Sequence, residues 1–198
     1  MSHSHVFEKL IDSYIDDNVG IAEGFLNTGL ASRLRTNLER LYKSNALNHA
    51  GTGNQSSVTH DKLVRSDKIY WLDKSHNDAV ENEFFLVMDD FIRYLNETCF
   101  TGITGYEFHY AMYEKGSFYK RHVDRFRNDD SRLFSMITYL NPDWSEGDGG
   151  ELCIYHADHK QQISPIDGKS IFFRSSDLEH EVLITHVPRM SITGWLKR

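Results

Sequence analysis

The sequence predicts a mostly β fold with N-terminal helices, a β-sandwich or barrel carrying the helices on one outer face. Two observations carry this. Apolar residues recur at three- and four-residue steps in the first half of the chain. From Tyr106 onward they fall instead in short runs rich in β-branched and aromatic residues, broken by clusters of Gly, Pro, Asn and Asp. Six or more short strands with few helices among them must bury their apolar faces on one another, which is the condition for a sandwich or barrel.

The helices come first. Val6, Phe7, Leu10, Ile11, Tyr14 and Ile15 share one face at helical spacing, as do Leu30, Leu34, Leu38 and Leu41, and then Val80, Phe84, Val87, Met88, Phe91, Ile92 and Leu95. Between the second and third lies NHAGTGNQSSVTHD, which has no periodicity and reads as a mobile loop, followed by LVRSDKIYWL, which reads as a strand. The later strands are read in YEFHYAMY, LFSMITYL, ELCIYH, SIFFRS, HEVLIT and RMSITGWL. No internal repeat or low-complexity tract interrupts them.

A length of 198 residues suits one domain, 1–198, with helical support mainly in 1–100 and the β core mainly in 101–198. Twenty-two Lys and Arg against 29 Asp and Glu leave a net charge of −7, which repels phosphate backbones and anionic lipid, and no basic patch overrides it. Nucleic acid and membrane are therefore not expected partners. Two cysteines, Cys99 and Cys153, cannot make a disulfide framework, and no apolar segment approaches the ~18 residues of a membrane span. The N-terminus has no signal-peptide pattern, so a cytoplasmic location is expected.

His122 and Asp124 stand two apart, so in extended chain both side chains project to the same side. An HxD pair alone is a common coincidence. His180, opening the β-rich run HEVLIT, is a candidate third ligand. Two histidines and one carboxylate occupy one face of an octahedral metal and leave positions open for a chelating cosubstrate and oxygen, the arrangement non-haem iron(II) oxygenases use. Arg189 lies nine residues after His180 and heads a strand in which Arg189, Ser191, Thr193 and Trp195 alternate onto one face. An arginine there is costly to bury without an anion, and a carboxylate would satisfy it, with Ser191 or Thr193 adding a hydrogen bond.

These residues resemble the iron(II)/2-oxoglutarate oxygenase superfamily, whose pattern is HxD, a distal His and an Arg followed by xS. Here it reads His122-Val123-Asp124, His180 and Arg189-Met190-Ser191. The chain is further similar to prolyl 4-hydroxylases of the hypoxia-inducible-factor type and their bacterial relatives, from about Gly20 to Trp195, in VRSDKIYWL, LVMDDFIRYLN, MYEKGSFYKRHVD, ITYLNPDW and RMSITGW.

The resemblance implies a double-stranded β-helix, or jelly-roll. It also implies iron(II), 2-oxoglutarate and O2 as cofactor and cosubstrates, with ascorbate as reductant, and conversion of 2-oxoglutarate to succinate and CO2 as a prolyl residue is hydroxylated. Tyr113, Tyr139 and Thr193 match residues around 2-oxoglutarate, while Arg65, Asp67, Arg132 and Trp195 match the substrate side. The loop before VRSDKIYWL matches a segment that folds over the target peptide. An intracellular protein is the implied substrate, elongation factor Tu if the source is bacterial.

There are departures from the animal enzymes. One residue is missing between Tyr113 and His122, Ser66 stands for a glycine, and the three residues after Trp195 leave no room for a C-terminal substrate-contacting helix. These bear on the peptide grip rather than the metal. Two other functions remain open on the sequence: hydroxylation of a free amino acid or other small molecule, and a non-catalytic metal-binding β-barrel.

Overall fold

The computed structural model describes residues 4–51, 63–124 and 131–198. Helices α1 (Ser4–Asp17), α2 (Thr28–Lys43) and α3 (Ala79–Cys99) occupy the three segments with helical spacing. Asn27 caps α2 by accepting from the Leu30 N–H at 2.8 Å, and Asp78 caps α3 by accepting from Val80 and Glu81 at 2.9 and 3.0 Å. The apolar face of α1 is narrower than its spacing suggests: Phe7, Leu10 and Ile11 are buried, but Ile15 is exposed.

Among the described residues, eleven strands follow or interleave with the helices: β1 (Val19–Glu23), β2 (Asn48–His49), β3 (Lys68–Trp71), β4 (Gly105–Tyr113), β5 (Tyr119–His122), β6 (Arg132–Tyr139), β7 (Leu152–Tyr155), β8 (Lys160–Ile163), β9 (Lys169–Arg174), β10 (Glu179–Val182) and β11 (Arg189–Lys197). They form a seven-stranded sheet, β1-β9-β6-β11-β4-β3-β2, and a four-stranded sheet, β5-β10-β7-β8. Every pairing is antiparallel. This is the jelly-roll that the resemblance implied.

Period-2 alternation in the large sheet makes two cores. Tyr110, Met112, Met136, Phe172, Ile192 and Leu196 face the helices and join Phe7, Leu34, Phe84 and Phe91. Their neighbours Ala111, Tyr113, Ile137, Tyr139, Ile171 and Phe173 point the other way, into the space between the sheets. The helix-side core is strongly aromatic. Phe91 has ring centroids 4.9 Å from Phe7, 5.1 Å from Phe25 and 5.7 Å from Phe172, so truncating it to alanine removes three ring contacts, a change of about 3–5 kcal/mol. Gly194 lets β11 lie close against β4, because a Cβ there would stand 2.2 Å from the Glu107 carbonyl oxygen.

Several elements differ from expectation. LVRSDKIYWL is a strand only from Lys68, with Arg65 in an isolated bridge to Tyr119. Of the segment read as a mobile loop, Asn48 and His49 pair with β3, and residues 52–61 lie outside the described residues. β1, β5 and β8 were not anticipated: β1 and β5 are short, at five and four residues, and β8 (KQQI) is a largely polar edge strand whose ladder with β7 is not written in its hydropathy.

Candidate functional site

Strands β5 and β10 pair so that His122 and His180 stand opposite one another. Asp124 follows two residues past the end of β5 and reaches both, its Oδ1 3.4 Å from His122 Nε2 and its Oδ2 3.6 Å from His180 Nε2. One ligand atom from each of the three lies within 4.8 Å of the others. His122 Nδ1 is 2.7 Å from the Lys120 carbonyl and His180 Nδ1 is 3.1 Å from that of Leu178. A carbonyl only accepts, so Nδ1 carries the proton in each ring and Nε2 keeps its lone pair for a metal. Ser135 donates to Asp124 Oδ2 at 2.6 Å and is itself paired with Ser175 at 2.9 Å.

Burial alone would raise the Asp124 carboxyl, but His180, His122 and the Ser135 hydroxyl outweigh it and hold it well below the usual carboxylate range. Burial pushes His180 down to about 4, against the pull of Asp124. At neutral pH the centre therefore presents a carboxylate and a neutral imidazole at His180, the protonation state a metal requires. The three residues line a cavity, and no fourth ligand joins them among the described residues, so a bound ion would keep open positions.

From the triad the cavity runs between the sheets past Leu152 and Val182 to Arg189. Arg189 is 2% exposed, and no carboxylate of the described residues pairs with it. Its Nε donates to the Gly150 carbonyl at 2.8 Å, and its guanidinium carbon lies 4.8 Å from the Tyr113 ring centre and 4.9 Å from that of Tyr139. The Tyr139 hydroxyl is buried and makes no hydrogen bond to the described residues. Burial pushes both phenols up, so they remain O–H donors at neutral pH. Ser191 Oγ and Thr193 Oγ1, on the same strand face as Arg189, are 3.2 Å apart. A buried charge without a partner costs several kcal/mol, so this end of the cavity suits an anion with hydrogen-bond acceptors. A dicarboxylate reaching from the metal has that chemistry.

Toward the other end, Arg65 forms a two-pronged pair with Asp67 at 2.8 and 2.6 Å and lies over the Tyr119 ring at 4.2 Å. Asp67 is buried and Arg65 largely covered, so the pair is not a solvated one; Arg65 lines the cavity, and Asp67 fixes it from outside the lining. Arg132 stacks on Trp195, its guanidinium carbon 3.4 Å from the ring centre, and pairs with Glu107 at 2.7 Å. All the residues singled out on sequence thus gather around this one cavity, with Asp67, Tyr139, Ser191 and Arg132 just behind its wall.

Other residues at the site carried no sequence signal. Ser135 and Gly150 act only through partners brought in by other strands. Tyr119 stacks on His122 with ring centres 3.6 Å apart, although they stand three positions apart in the chain. A bulge explains this: Tyr119 and His122 pair with Val182 and His180, which are only two apart, so β5 carries one extra residue. His109 sits between Trp71 and Trp195, at 5.0 and 5.6 Å, with its buried Nδ1 unpartnered among the described residues.

The model of the 2OG-Fe(II) oxygenase superfamily matches residues 108–197. Along its length the chain is similar to a Pseudomonas putida prolyl-4-hydroxylase of known crystal structure, at 31% identity over 97% of this chain and 98% of that one, with a TM-score of 0.87. The fold is shared with a Trichoplax adhaerens prolyl hydroxylase solved with a hypoxia-inducible-factor peptide, at a TM-score of 0.86 and 24% identity over 98% of this chain and 90% of that one. Human Egl nine homolog 1 is 27% identical over 200 residues, covering 95% of this chain and 46% of that protein, so the chain spans about half the length of that curated relative. With its β-rich half matched by the family model and its whole length by a solved relative, this chain belongs to the 2OG-Fe(II) oxygenase superfamily.

Proposed function

We propose that the protein is a 2-oxoglutarate-dependent prolyl 4-hydroxylase acting on a proline within a protein substrate. The observation that carries the cosubstrate assignment is Arg189, buried without a counter-ion among the described residues at the inner end of the cavity that holds the triad. The prolyl assignment is supported by the end-to-end similarity to the Pseudomonas putida prolyl-4-hydroxylase.

His122 Nε2, Asp124 and His180 Nε2 would hold the iron. When bound, iron(II), 2-oxoglutarate and O2 supply the oxidising chemistry, with succinate and CO2 as co-products. The chain's own part is position and exclusion. Arg189 would keep Nε on Gly150 and direct its remaining N–H groups at a carboxylate, with the Tyr113 and Thr193 hydroxyls at the cavity wall and Tyr139 and Ser191 supporting from behind it. Ile137, Leu152 and Val182 keep water from the space between that carboxylate and the metal. Arg65, held rigid by Asp67, and the Arg132–Trp195 stack would form the peptide side.

Ascorbate as reductant and a cytoplasmic location belong to the same reading, as does one domain spanning 1–198. Among the described residues no helix is long and apolar enough to cross a membrane. Elongation factor Tu is the first candidate to assay if the source is bacterial. The test is mass spectrometry of candidate proteins and their proline-containing peptides after incubation with enzyme, iron(II), 2-oxoglutarate and O2. Gain of one oxygen on a proline is expected. Succinate formation stimulated by free amino acids or other small molecules, and by no protein or peptide, overturns the reading.

A further inference from the structure

A second group of ligating side chains lies where the end of α1 meets the β7–β8 hairpin. His156 follows β7 and His159 precedes β8, and the turn is closed by the His156 N–H donating to the His159 carbonyl at 3.0 Å. The turn brings the two imidazole rings to 4.2 Å with their planes 4° apart. Asp17, the last residue of α1, joins them, and one ligand atom from each of the three lies within 4.8 Å of the others.

Neighbouring side chains already orient this group. His159 Nδ1 is 2.8 Å from Asp158 Oδ1, which places the proton on Nδ1 and leaves the Nε2 lone pair free, as carboxylates do behind metal-bound histidines. Gln161 spans the other two residues, its Oε1 3.3 Å from His156 Nε2 and its Nε2 donating to Asp17 Oδ2 at 3.3 Å. Both contacts are long for hydrogen bonds and are readily exchanged for bonds to a metal. His159 is exposed and Asp17 and His156 are half-buried, so an ion reaches them from solvent without opening the fold.

We propose that Asp17, His156 and His159 form a surface site for zinc(II), separate from the oxygenase centre, with water completing the coordination. Two imidazoles and one carboxylate are a ligand set zinc accepts, and three protein ligands leave room for that water. α1 otherwise packs chiefly on β1, with smaller contacts to β9 and α3, all on the side of the large sheet. An ion here would tie the end of that helix to the small sheet, so binding should stabilise the fold as well as occupy the site.

Zinc(II) titration against a chromophoric chelator counts the sites without reference to activity. Two zinc equivalents per chain are expected in the wild type, one at the triad and one here. One should remain in His156→Ala/His159→Ala, one in His122→Ala/His180→Ala, and none when all four are replaced. Zinc should also raise the Tm of His122→Ala/His180→Ala but not that of the fourfold variant. The zinc equivalent retained at the triad in His156→Ala/His159→Ala reports that this variant is folded. Loss of all zinc binding in His122→Ala/His180→Ala, or its persistence in the fourfold variant, overturns the proposal and leaves the oxygenase reading untouched.

Discussion

Arg189 and Gly150 are fitted to one another: the arginine Nε donates to the glycine carbonyl at 2.8 Å, and a Cβ on Gly150 would stand 2.9 Å from Arg189 Cδ. Gly150 also has φ +76°, a region that costs a residue with a side chain about 1–2 kcal/mol. Gly150→Ala should therefore displace the guanidinium that faces the cosubstrate. A rise of about tenfold in KM for 2-oxoglutarate is expected, equivalent to about 1.4 kcal/mol of lost binding. Steady-state kinetics with varied 2-oxoglutarate checks this, and an unchanged KM counts against the anchor.

Ser135 holds Asp124 from behind at 2.6 Å. Ser135→Ala leaves that carboxylate oxygen without its donor and free to turn, and such supporting contacts change metal affinity by about 10–100-fold. Anaerobic iron(II) titration should show weakening toward the lower end of that range, with the fold intact. Wild-type affinity in this variant would mean that the two imidazoles position Asp124 unaided.

His109 is fully buried, and burial lowers it to about 3 from its ordinary value of 6.5. Above pH ~6.5 it is neutral in both folded and unfolded chains, and its contribution to stability is complete. As pH falls toward 3, the unfolded chain takes up a proton that the folded one does not, and stability is lost at up to about 1.4 kcal/mol per pH unit. His109→Met removes that titration. Urea unfolding of the metal-free proteins at about pH 7 and about pH 5 should show the wild type losing about 2 kcal/mol more than the variant. Equal losses would place the acid sensitivity elsewhere.

Arg132 covers Trp195 and pairs with Glu107, away from Arg189. Arg132→Ala should raise KM for a peptide substrate by about tenfold and leave KM for 2-oxoglutarate unchanged, the size expected for a partly buried charged contact. A matching change in both constants would assign Arg132 to the cosubstrate pocket instead.

The helices were legible because each lays a single apolar face on the large sheet, and β4, β6, β9 and β11 because their alternation sorts residues between two cores. β8 was not, since KQQI lies at the edge of the small sheet and buries little. Within the site, the HxD spacing and the alternation of β11 could be read locally. The meeting of His122 and His180 depends on β5 pairing with β10 across more than fifty residues, which only the resemblance supplied. Ser135, Gly150 and the bulge that stacks Tyr119 on His122 stayed hidden because each owes its place to another strand. Arg65 and Asp67 could have been an ordinary solvated pair; it is the covering Tyr119 ring that shows otherwise.

The most direct test of the triad and its anchor is the visible absorption of the protein mixed anaerobically with iron(II) and 2-oxoglutarate. Cosubstrate chelated to iron at His122, Asp124 and His180 should give a charge-transfer band that is lost in His122→Ala and weakened in Arg189→Ala. No band in the wild type, or a full band in His122→Ala, contradicts an iron(II)/2-oxoglutarate centre at these residues.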